Sequence, residues 1–142
     1  MAQYESEIIH LHFSQEQVYN KLSDLINLAP LRDNLELIKE KTDGKVEDIN
    51  FDSDSLTLKV QGFNLTLKII EREPMKCIKF EGVNTPVPLN LWIQILPENT
   101  NESKMKLTIK AEVNMFMKAM IDKPIRQSIE KISETLKNLQ YN

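Results

Sequence analysis

One cysteine, three glycines and two histidines in 142 residues leave little material for several kinds of functional site. With Cys77 alone, no internal disulfide forms and a cysteine-based metal cluster is excluded. So few glycines rule out collagen-like and glycine-linker segments. No apolar run approaches the roughly 20 residues of a membrane-spanning helix, so stable membrane insertion is not expected. The start, Met1-Ala2-Gln3-Tyr4-Glu5-Ser6-Glu7, has no basic stretch leading into an apolar one. A secretory signal is therefore not expected, and the cytoplasm is the expected location. The sequons at Asn64 and Asn101 have no expected role there. Basic residues number 18 against 21 acidic ones, giving a net charge of -3. That balance helps solubility but has the wrong sign for a general nucleic-acid binder.

What is present reads as a folded domain. Hydrophobic residues make up 41% and charged residues 27% of the chain, outside the range of disordered tails. A chain of this length can bury roughly 70% of its unfolded surface. With no internal repeat, linker or low-complexity segment, residues 1–142 are expected to form a single domain.

Hydrophobic periodicity gives the element order. Residues 6–13 alternate, with Ile9, Leu11 and Phe13 on one face and His10 and His12 on the other, which predicts a half-buried strand. Ser14 stands three residues before Gln17, the spacing of a capping box, and Val18, Leu22 and Leu25 follow at helical spacing. Pro30 suits the first turn of a second short helix carrying Leu31, Leu35 and Ile38. From residue 45 to 113 the period becomes two. Strands are predicted around Ile49–Phe51, Leu56–Val60, Phe63–Ile69, Ile78–Phe80, Leu89–Ile95 and Met105–Val113. Gln61-Gly62 fits a tight hairpin, and Glu73-Pro74 breaks the pattern. Met117, Ile121, Ile125, Ile129, Ile132, Leu136 and Leu139 then recur every three or four residues in a long amphipathic helix. Pro124 lies inside it, so a kink or a division into a short and a longer helix is expected.

A strand, two short helices, six strands and a long helix resemble the START/Bet v 1-like (SRPBCC) helix-grip superfamily. "IIHLHFSQEQVYNKLSDL" at residues 8–25 is similar to its opening strand, cap and first helix. "IIEREPMKCIKFEG" at 69–82 resembles its strand, acidic-Pro turn and strand. "FMKAMIDKPIRQSIEKISETLKNL" resembles its closing helix. The resemblance implies an α+β fold in which a curved antiparallel seven-stranded sheet wraps a long C-terminal helix, with two short helices between strands 1 and 2. It also implies a hydrophobic cavity between sheet and helix, which in such proteins holds lipids, sterols or polyketides. Only some members are enzymes, and fold does not fix function.

The strand phase and the facing helix together predict a cavity lined by Leu58, Leu67, Phe80, Leu91, Ile93, Ile109, Met117, Met120 and Ile121. Met115, Met117 and Met120 suit a surface that adapts to several ligands, though core filling explains them equally well. Asn84-Thr85-Pro86-Val87-Pro88 is placed as a possible lip. His10 and His12 share a strand face, but a zinc site needs a third and usually a fourth donor, and the sequence has no other histidine. Neither metal nor cofactor is expected. The acidic stretch from Asp43 to Asp54 lacks the spacing of a calcium loop. Cys77 has no recognisable base beside it, and Glu71, Glu73 and Glu81 fall on the outer face or near a turn. Lys104, Lys106 and Lys110 form an outward basic stripe without interleaved aromatics. Trp92 falls out of phase on the same outer face. It is either a partner contact, turned inward by a bulge, or covered by neighbouring lysine stems.

Three function classes remain. Non-catalytic binding or carriage of a small hydrophobic ligand leads, because the inward face is almost wholly aliphatic. A cyclase- or hydratase-like enzyme would use the same cavity but needs inward polar groups. A protein-interaction module, with a possible homodimer through the outer sheet face, is the third.

Overall fold

The computed structural model describes residues 2–28, 40, 46–60, 63–85 and 87–141. Among the described residues there are eight strands: β1 Ala2–Glu5, β2 Ile9–Leu11, β3 Val46–Phe51, β4 Ser55–Val60, β5 Phe63–Glu73, β6 Cys77–Gly82, β7 Leu89–Pro97 and β8 Ser103–Ala111. The helices α1 Gln15–Leu22 and α2 Met115–Lys137 flank the β3–β8 meander. The strands form one antiparallel sheet in the order β1-β8-β7-β6-β5-β4-β3, with β2 also paired to β8. β1 and β2 thus share one edge position, and the sheet is seven strands wide. The predicted second short helix and the Gln61-Gly62 turn lie outside the described residues, although Val60 and Phe63 do face each other across β4 and β5.

The first strand differs from its expectation. It begins at Ala2, breaks at residues 6–8 and ends before Phe13. Glu5 pairs with Thr108 and Ile9 with Met105, so four steps on the edge match three on β8. The extra residue is a bulge, which bends a strand and shifts its phase. Its backbone is still satisfied: the Ser6 amide donates to the Leu107 carbonyl, and the Ser6 hydroxyl accepts from the Leu107 amide, both at 2.9 Å. Burial follows the slip. Ala2 and Tyr4 point inward, then Ile9 and Leu11 do, while Ile8 is 55% exposed. A second bulge falls between Ile69 and Glu71, and beyond it Arg72 pairs with Ile78 on the concave side. Arg72 reaches the end of α1: its Nε donates to the Ser23 carbonyl at 2.7 Å and its Nη2 to Asp54 at 2.6 Å. These bulges curve the sheet around its core.

α1 starts with the predicted capping box. The Gln17 amide donates to the Ser14 hydroxyl at 3.1 Å, and the Ser14 amide donates to the Gln17 side chain at 2.9 Å. Val18, Tyr19 and Leu22 are buried, and Gln15 Nε2 donates to the Ile95 carbonyl at 3.2 Å, fixing the helix on β7. α2 is capped by Asn114, which accepts from the Met117 amide at 2.8 Å. It runs as one helix through Pro124 rather than dividing in two. Proline removes a single rung of the ladder, while Ile125 and Ile129 on either side of the next turn stay on the core. After the helix the chain turns back. The Tyr141 hydroxyl donates to the Leu136 carbonyl at 2.6 Å, and its ring meets Phe13 edge-on with centroids 5.5 Å apart.

Candidate functional site

Strand register builds the concave face. Directly opposed residues run Ile49–Leu58–Leu65, Leu56–Leu67–Gly82, Ile69–Phe80–Leu91–Ile109–Tyr4 and Ile78–Ile93–Leu107. In an antiparallel pair opposed residues share a face, so these rows form a continuous apolar surface from β3 to β1. Burial is uneven across it. Phe80, Leu91, Ile93 and Ile109 are buried, whereas Leu58 and Leu67 on the β4–β5 side are half-buried. On α2, Met117 and Ile121 are half-buried and Met120 is 63% exposed. The helix packs on β1, β2 and β8, so β4, β5 and β6 lie farther across the sheet. Gly82 on this face lies close against Thr85: a Cβ there would come within 2.7 Å of the Thr85 side chain. Val87 in that segment is buried, and Thr85 donates to its carbonyl at 2.7 Å.

Where α2 leaves the edge strand, a cleft of about 610 Å³ opens between residues 4–10 and one side of the helix from Arg126 to Lys137. Tyr4 and Arg126, which line it, belong to a polar group that sequence reading missed. The Tyr4 hydroxyl donates to the Asp122 carboxylate, and the Arg126 guanidinium lies 5.3 Å from the Tyr4 ring centre. Burial, reinforced by the hydrogen bond to Asp122 and its charge, pushes the Tyr4 phenol up to about 12; Arg126 acts in the opposite direction. At neutral pH the phenol is therefore a donor, not a base. Asp122 and Arg126 stand four apart on one helix face, a signal visible in the sequence. Tyr4 was not, because its strand was placed four residues too late.

The outer face resolves the remaining candidates. His10 and His12 are exposed, and each Nδ1 meets a carboxylate of the β7–β8 turn, Glu98 and Glu102 respectively, the latter at 2.9 Å. Glu102 is held below the usual carboxylate range by Asn99 first and then by His12. The pairs tie the edge strand to that turn, and among the described residues no three metal-ligating side chains converge. Trp92 stays outward, in register between Lys79 and Thr108. The Lys79 and Lys110 ammonium groups sit 5.1 and 5.5 Å from its ring centre, so lysines cover it. Lys106 pairs with Glu5 at 3.3 Å. Beside Trp92 lies a hollow of about 680 Å³ that includes Cys77, Glu71 and Glu73. Burial, with the Glu73 and Glu71 charges adding to it, pushes the Cys77 thiol up, which suppresses the nucleophilic thiolate.

No family model and no curated protein sequence matches the chain. Solved structures do share its fold. A START superfamily protein from Mycobacterium smegmatis aligns over 97% of this chain and 99% of its own, with a TM-score of 0.58 and 10% identity. Norcoclaurine synthase from Thalictrum flavum aligns over 97% of this chain and 88% of its own, with a TM-score of 0.61 and 12% identity. That enzyme has also been solved in complex with dopamine and hydroxybenzaldehyde. A Thermobifida fusca protein gives a TM-score of 0.63 at 9% identity, over 99% of this chain and 96% of its own. Identities this low establish the fold alone. The chain has a START/Bet v 1-like fold: an open, curved antiparallel sheet with a long C-terminal helix.

Proposed function

We propose that this chain binds and carries a small hydrophobic ligand, lipid-, sterol- or polyketide-like, between the concave sheet and α2, without transforming it. The observation that carries the reading is the apolar face from Ile49 to Ile109, in which Leu58, Leu65 and Leu67 stay half-buried between buried Ile49 on one side and buried Phe80, Leu91 and Ile109 on the other. A fully packed core needs no such half-buried strip. On this reading Leu58 and Leu67 border the ligand, Phe80, Leu91, Ile93 and Ile109 form the packed floor beneath it, and Met117 and Ile121 close it from α2, with Met120 at the mouth. Residues 1–142 act as one domain in the cytoplasm on this reading. Mass spectrometry under non-denaturing conditions tests it: the protein purified from cells should carry a small apolar molecule that organic solvent extracts. Protein that emerges empty, and fails to enhance an apolar fluorophore, would sink the proposal.

One observation favours an enzyme instead. Tyr4, Asp122 and Arg126 supply an inward polar group beside the 610 Å³ cleft, the feature a cyclase- or hydratase-like activity needs. Turnover in a panel of aromatic and acyl substrates, abolished by Tyr4→Phe in a folded protein, would establish that reading over the carrier.

A further inference from the structure

We draw no further inference here: the strongest candidate, the exposed apolar face that Phe116 and Met120 form on the first turns of α2, carries nothing because nothing in the structure shows what covers it.

Discussion

At Tyr4 a buried phenol, a helix carboxylate and an arginine meet across 118 positions of sequence. Removing the hydroxyl deletes a hydrogen bond to a charged group, for which about 1.5 kcal/mol is the low end of the usual range. Asp122 is only half-buried and can regain water, so Tyr4→Phe should cost about that much. The pH dependence has a definite sign. The phenol's pKa is raised from 10.0 to about 12 on folding, so its contribution is complete below pH 10 and is lost as pH rises toward 12. The stability gap between wild type and Tyr4→Phe in urea should therefore be wider at neutral pH than at about pH 11; a constant gap would disprove the assignment. Met75 makes a second residue-scale case. It occupies the third position of the Glu73–Lys76 turn, just after Pro74, at φ 67°, with the Lys76 amide donating to the Glu73 carbonyl at 3.0 Å. That position favours glycine. A left-handed L-residue costs roughly 1–2 kcal/mol, and the extra entropy glycine loses on folding offsets part of this. Met75→Gly should raise stability by about 0.5–1 kcal/mol in chemical denaturation.

Among the elements, α2 combines two unlike halves. Beyond Pro124, Ile129 and Leu136 are buried, Ile125 and Ile132 pack against the core, and Tyr141 closes the end through the Leu136 carbonyl. Before it, only Met117 and Ile121 lean inward, and Asp122 is tied to Tyr4. Proline supplies no amide to the Met120 carbonyl, which weakens the coupling between the halves. Amides at 118–122 should accordingly exchange faster than those at 130–136, and equal strong protection would mean a single rigid rod. Ile129→Ala or Leu136→Ala should cost about 2–5 kcal/mol in urea unfolding. Most of this architecture was legible in sequence. The capping box at Ser14 and Gln17, the period-two strands and the helical stripe all rest on chemistry among near neighbours. The bulges at residues 6–8 and 69–71 were not legible, because a bulge exists only relative to the partner strand's register. Tyr4–Asp122 and the Arg72 contact with Ser23 escaped for the same reason: each joins elements that only the folded sheet brings together.

The whole molecule divides along the sheet. On the β1, β7 and β8 side, α1 on β7 and β8, α2 on β1 and β8, and the neighbouring strands bury Leu91, Ile93, Ile95 and Leu107 almost completely. On the β4–β5 side, Leu58 and Leu67 remain half-buried in the same apolar register. Alternation in the sequence identified both sets but not the difference between them, which depends on where the helix lies across the sheet. That difference separates stability from the proposed binding. Leu91→Ala removes a fully buried side chain and should cost about 2–5 kcal/mol. Leu58→Ala withdraws less area from contact and should cost only about 1 kcal/mol. A larger side chain reverses the comparison. Leu91→Trp overfills a packed site and should cost about 1–3 kcal/mol, whereas Leu58→Trp extends into the space assigned to the ligand and should leave the urea midpoint nearly unchanged. The same Leu58→Trp protein should bind an apolar fluorophore at least about tenfold more weakly, a loss of about 1.4 kcal/mol. Should Leu58→Trp instead unfold the protein as readily as Leu91→Trp, the β4–β5 side is solid core. Wild-type fluorophore binding by a stable Leu58→Trp protein would move the ligand away from β4, toward the cleft beside Tyr4 and Arg126.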